Sequence, residues 1–168
     1  MSLRLFFAAP VTVAAAFAAV PAPAQAPAPA AAAFERFFTG TTEGSGTVKI
    51  MLSGSHGMRD HGRGRMEKGA LILDQVVEEE GKPARRRSWR LVRSGANGIT
   101  GTISDAKGAV SGSVQGATLH LKYKLAEGPS VEQWITLQAG GRSATNRMNF
   151  HRFGMKVATV QSTIRKTS

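Results

Sequence analysis

The sequence predicts an all-β domain. It reads as an antiparallel up-and-down β-barrel of the lipocalin-like, calycin-like kind, with a β-sandwich as the alternative. Three observations carry this reading. Turn signals recur at Gly44/Gly46, Gly54/Gly57, Gly69, Gly81-Lys82-Pro83, Gly95-Ala96-Asn97-Gly98, Lys107-Gly108, Gly116, Gly128-Pro129 and Gly140-Gly141. Signals spaced by roughly 8–12 residues mark short strands in series. Between them the chain alternates with period two: Leu119, Leu121, Tyr123 and Leu125 fall on one face, His120, Lys122 and Lys124 on the other. That is a sheet with one buried and one wet face. No segment after Phe38 sustains a period of about 3.6 residues, so helix is minor. Short connections favour antiparallel neighbours, and about nine or ten strands so joined form a meander. Closing the meander removes its exposed edges.

The elements follow in order. Residues 1–24 read as a signal peptide. Arg4 supplies the positive start, Leu5 to Val20 is an apolar run broken by Pro10, and Ala22-Pro23-Ala24 fits a small-x-small cleavage site. The run falls short of the ~20 residues of a spanning helix and is Ala-rich rather than Leu-rich. Residues 25–33 form a Pro/Ala-rich linker, extended because proline fixes φ and restricts its neighbour. Residues 34–168 form the single domain. It opens on a short N-terminal helical turn, Phe34 to Phe38, with apolar residues three and four apart, ended by Gly40.

Glu78-Glu79-Glu80 and Arg85-Arg86-Arg87 flank Gly81-Lys82-Pro83-Ala84. A four-residue hairpin loop sets Glu80 opposite Arg85, Glu79 opposite Arg86 and Glu78 opposite Arg87. Such pairs contribute ~0.2–1 kcal/mol each and account for the charges without a ligand. His56 to Arg65 holds two histidines, Asp60 and three arginines. The i, i+5 histidine spacing puts the two rings on opposite faces of a strand, and the arginines repel a cation, so no metal site is assigned. The segment reads instead as a basic, Gly-rich hairpin suited to anionic lipid. Gly62-Arg63-Gly64-Arg65 lacks the strand-to-helix context of a phosphate loop.

The aromatic anchors are Trp89, Tyr123, Trp134, Phe150 and Phe153. Such residues fill the core of small β domains. A barrel of eight or so strands can also enclose one small ligand in a mostly apolar pocket. On that reading Trp89, Tyr123 and Trp134, with Asn146 and Arg147, are the candidate ligand-binding residues. Arg147 has a five-donor fork that can close a barrel end, stack on a tryptophan or hold a carboxylate. No catalytic residue is nominated. Serine, histidine and aspartate are present, but none lies in a nucleophile-elbow context. No cofactor is implied.

Formal net charge is +11, there is no cysteine, and Arg4 is the only charged residue ahead of Glu35. The missing cysteine excludes disulfides, thiolate metal sites and a thiol nucleophile. The charge favours anionic partners. For an exported chain these are an anionic amphiphile or lipid, with peripheral membrane contact, rather than nucleic acid.

The late stretch Asn146-Arg147-Met148-Asn149-Phe150-His151-Arg152-Phe153-Gly154 follows Trp89-Arg90, Asp105-Ala106-Lys107-Gly108 and Gln133-Trp134. In this order the segments resemble the bacterial envelope family numbered 3833 among domains of unknown function. The resemblance runs from about Phe34 to Arg165. It implies an envelope protein and, by association with lipid modification, fatty-acid or phospholipid handling. Relatives often carry a lipid-anchoring cysteine after the signal; this chain has none, so a periplasmic protein without a lipid anchor is expected. Where relatives place aspartate before the tryptophan, this chain has Glu132-Gln133. The expected function is a carrier of a lipid-like ligand. The alternatives are a small-molecule isomerase or cyclase on the same barrel, or a structural envelope protein with a filled core.

Overall fold

The computed structural model describes residues 30–168. The signal peptide expected over 1–24, and the linker up to residue 29, lie outside the described residues. Helix α1 spans Ala30–Phe38. It begins four residues ahead of the expected helical turn and takes in residues 30–33, expected as the end of the extended linker, because Ala30 to Ala33 are good helix formers with no proline among them.

Ten strands follow: β1 Gly40–Ile50, β2 Gly54–Glu67, β3 Ala70–Glu79, β4 Arg85–Ser94, β5 Gly98–Ile103, β6 Val110–Gln115, β7 Thr118–Lys124, β8 Ser130–Leu137, β9 Ser143–Arg152 and β10 Met155–Lys166. Each pairs antiparallel with the next, and β10 pairs back onto β1 to close the barrel. Closure leaves no strand edge unpaired, the general solution to the edge problem of an antiparallel sheet.

Alternation decides inside from outside. Leu73, Trp89, Ile103, Val110, Leu121, Val131, Ile135 and Ile164 point inward and are buried. Arg59, His61, Arg63 and Arg65 alternate with them on β2 and are exposed. An outer wall so charged is unlike the apolar belt of a barrel that faces lipid. Among the described residues no helix is long and apolar enough to cross a membrane.

Helix α1 plugs one end. Its Phe34, Phe37 and Phe38 are buried against the barrel. The helix sits close because Gly64 has no side chain: a Cβ there would lie 1.9 Å from the Phe38 carbonyl oxygen. Lys166 holds the helix C-terminus, donating from Nζ to the carbonyls of Arg36 at 3.1 Å and Phe37 at 3.3 Å, and to that of Thr39. A cation at unpaired C-terminal carbonyls also complements the helix dipole. Arg93 grips Glu35 with two guanidinium nitrogens.

Three expectations are corrected. Gly44 and Gly46 lie inside β1, and Gly57 lies inside β2. The basic hairpin expected over His56 to Arg65 is therefore one continuous strand. In-strand glycines mark close approach rather than turns here: a Cβ on Gly44 would lie 2.0 Å from Asp60 Oδ2. The β3–β4 register also differs. Val77 faces Arg85, Val76 faces Arg86 and Gln75 faces Arg87, while Glu78 lies opposite Arg59 on β2. Packing Leu73 beside Trp89 in the core sets this register, since side-chain facing fixes register more strongly than surface charge.

Candidate functional site

The barrel interior holds a cavity of about 90 Å³. Phe38 of α1 forms its floor; Leu71, Leu73, Trp89, Leu91, Leu119 and Leu121 are among its apolar walls. Toward the end opposite α1, the lining changes to Met58, Glu79, Arg85, Leu125, Met148 and Phe150. That end is ringed by the β1–β2, β3–β4, β5–β6, β7–β8 and β9–β10 connections, and among the described residues no helix covers it.

Two hydrogen-bonded chains cross this interior. Trp89 Nε1 donates to Gln75 Oε1 at 3.1 Å, and Gln75 Nε2 donates to Asp60 Oδ1 at 3.1 Å. On the facing wall, Gln133 Nε2 donates to Asn146 Oδ1 at 2.9 Å, and Asn146 Nδ2 donates to Ser162 Oγ at 3.1 Å. The Tyr123 hydroxyl lies 3.5 Å from Gln133 Oε1. Buried polar groups are expensive unless bonded, so a filled apolar core would be the cheaper way to close this barrel.

The titratable groups carry the mark of that burial. Desolvation raises the Asp60 pKa, against the opposing hydrogen bond from Gln75 and the nearby charges of His61 and Arg87. Desolvation also pushes Tyr123 up to about 12, so its phenol stays protonated. The Arg87 side chain is 8 % exposed, and its Nη2 forms an ion pair with Asp105 Oδ2 at 3.0 Å. Its Nε and Asp105 Oδ1 are buried with no partner among the described residues. At the mouth, Glu79 gathers His56 at 3.1 Å, Lys82 at 2.5 Å and Arg85 at 2.5 Å. Burial pushes Glu79 up, but hydrogen bonds from Lys82 and His56 and the charge of Arg85 prevail and hold it at about 2. At this point of the mouth two permanent cations, Lys82 and Arg85, thus meet one carboxylate.

The sequence-derived candidates divide between two places. Trp89, Tyr123 and Asn146 point inside, and the Trp89 and Tyr123 rings meet edge to face at 5.5 Å. Trp134 and Arg147 lie on the outer wall, one register position from the inward set. There His120 stacks on Trp134 at 5.0 Å, and the Arg147 guanidinium lies 5.1 Å over the same ring. Both faces of the indole are therefore occupied. Of the three roles open to Arg147, the structure shows stacking on a tryptophan. Histidines 56 and 61 point to opposite faces of β2, and no group of three or more metal-binding side chains gathers among the described residues. From the sequence Asp60 reads only as part of a polar segment weighed for metal, Arg87 only as the cross-strand partner of Glu78, and Gln75 is not singled out. The available signal was period two: each shares a strand face with an apolar residue, Arg87 with Trp89 and Gln75 with Leu73.

The sequence pattern of proteins of unknown function termed DUF3833 matches residues 12–166. The chain belongs to the DUF3833 family. No curated protein matches the sequence. Among solved structures, the S-type phycobiliprotein lyase CPES from Guillardia theta superposes with a TM-score of 0.65 at 10% identity, over 82% of this chain and 93% of that one. Rv2717c from M. tuberculosis gives a TM-score of 0.64 at 14% identity, over 84% and 99%. At these identities the likeness concerns the fold, and this DUF3833 barrel is lipocalin-like.

Proposed function

We infer that this DUF3833 protein binds a small amphiphile carrying an anionic group, a fatty-acid- or lipid-like ligand, through the open end of the barrel. One observation carries the reading. Arg87 is a buried guanidinium on the cavity wall, paired with Asp105 through Nη2 but with an unpartnered Nε, beside apolar walls and below the Lys82 and Arg85 cations. An unsatisfied buried donor costs about 1–3 kcal/mol, and a carboxylate or phosphate oxygen in the cavity would relieve that cost. The general form, an apolar pocket with few convergent polar groups, is that of a ligand site.

The size of the void refines the ligand. Pockets for drug-sized molecules span ~300–1,000 Å³. A void of about 90 Å³ takes a head group or a short chain. A longer tail enters only if Met58, Met148 and Phe150 shift, and methionine is the side chain best suited to yield. Export to the periplasm, expected from residues 1–24, belongs to the same proposal; fractionation with N-terminal sequencing tests it, and a start near Gln25 is the expected result.

Binding is tested by tryptophan fluorescence. Trp134→Phe removes the outer indole and leaves Trp89 in the cavity as the reporter. Carboxylates of increasing chain length should give saturable changes, and Arg87→Gln should weaken binding at least tenfold, as loss of a charge-assisted bond implies. Arg147→Ala should leave affinity unchanged, because that guanidinium lies outside. Absence of saturable binding across the series removes this reading and leaves a structural envelope protein in its place.

A further inference from the structure

Among the described residues, five large apolar side chains are strongly exposed, and four belong to one sector of the open rim. Leu52 is 104% exposed, Phe153 92%, Met155 66% and Met51 49%. Leu52 sits in the β1–β2 connection, and Phe153 and Met155 in or beside the β9–β10 turn. Barrel closure makes these connections neighbours: Ile50 faces Ala158, and Met51 N donates to Val157 O at 2.9 Å. The four side chains thus form one cluster, at the end where the cavity opens.

The backbone adds a second, independent observation. Leu52 has φ +67° and Phe153 has φ +51°. Bulky residues avoid this left-handed region. Phe153-Gly154 is a two-residue turn with positive φ at both positions, and such turns favour Asn-Gly or Asp-Gly. Phenylalanine there is unfavourable for the turn and for exposure to water at once. The same holds for Leu52.

The flanks give the chemistry of the occupant. Lys49, Arg152 and Lys156 are exposed beside the cluster. Residues 49–56 and 151–157 contain no carboxylate. We propose that this rim sector docks on an anionic lipid bilayer, Leu52 and Phe153 entering the interface while Lys49, Arg152 and Lys156 meet the phosphates. Apolar insertion flanked by basic side chains is the usual form of peripheral membrane binding. A second copy of the chain fits less well. A specific dimer needs about 1,200 Å² or more of buried surface, beyond four side chains on two protruding turns. Two copies at +11 would also repel. Docking here sets the barrel mouth against the bilayer, yet it stands whether or not the cavity takes a ligand.

The full chain is tested by co-sedimentation with vesicles of phosphatidylcholine alone or with phosphatidylglycerol. Leu52→Asn with Phe153→Asn should weaken partitioning to the anionic vesicles at least tenfold. Thermal stability should not fall, because asparagine suits the left-handed positions. Lys156→Glu with Arg152→Glu should produce a comparable loss. Residues 1–29 are common to all variants. Because the chain has no cysteine, Phe153→Cys also takes a single environment-sensitive label. Its emission should shift blue on anionic vesicles, while a label at Ala117→Cys, at the far end, should not. Equal partitioning of wild type and the asparagine variant, or equal shifts at both labels, overturns the proposal. So does a concentration-dependent dimer abolished by the asparagine changes without any vesicle effect. The Trp89 titration uses no vesicles, so failure of ligand binding and failure of docking are read separately.

Discussion

Asp60 shows how a single residue takes its character from a neighbour on another strand. On β2 it lies opposite Gly44 of β1, and only a glycine leaves room for its carboxylate inside the barrel. Burial then favours the protonated form, raising its pKa. The sign follows. The folded state holds the proton more tightly than the unfolded chain, so stability falls as pH rises from the ordinary carboxylate value through the raised one. Asp60→Asn retains an acceptor for Gln75 and carries no charge. Thermal melts from pH 4 to 8 should show wild type and variant converging at the acid end, with the variant gaining as pH rises. A constant offset would show that Asp60 does not ionise in this range. None of this was legible at Asp60 alone, which reads like any carboxylate in a basic polar segment. Trp134 and Arg147 show the converse: large and polar enough to suggest a site, they lie one residue out of phase with the inward set.

At the scale of elements, α1 is held by few bonds, and each can be removed. Lys166 spans from β10 to the last carbonyls of the helix. Lys166→Met keeps the apolar stem and removes the donors, and should cost about 1.5–3 kcal/mol, the worth of a hydrogen bond to a charged group. Chemical denaturation measures it, and a hydrogen-exchange profile should show α1 loosening first. The β3–β4 loop offers a second case. Glu79 has its pKa lowered from 4.5 to about 2 through Lys82, His56 and Arg85. The stability it contributes is complete above 4.5 and is lost as pH falls toward 2. Its cationic partners are half exposed, so the contribution is about 1–2 kcal/mol rather than the full shift. Glu79→Gln should therefore flatten the acid limb of the stability–pH curve, measured by urea midpoints at pH 5 and pH 2.5. The strands themselves were legible, because period two and turn residues act locally. The β3–β4 register was not, because the long-range contact of Leu73 with Trp89 outweighed the local charge match. The Phe153-Gly154 turn was likewise obscured, since phenylalanine is no turn signal.

For the whole molecule, the barrel reading followed from a physical requirement rather than a motif: a meander of ten strands has two edges, and joining them satisfies both. What lay beyond reach was the interior volume. Whether inward side chains fill a barrel or leave a void depends on rotamers across all ten strands, and no spacing in the chain encodes that sum. The seam between β1 and β10 has a further consequence, for time rather than for shape. Thr41 bonds the Ser168 side chain across 127 positions of sequence, and nine residue pairs along the two strands depend on the same encounter. Contacts so distant are costly in chain entropy before they return any stability. Folding must then be slow by the standard of small domains. Nine strands without the tenth form an open sheet with both edges bare, so β10, last along the chain, separates an adhesive intermediate from a finished barrel.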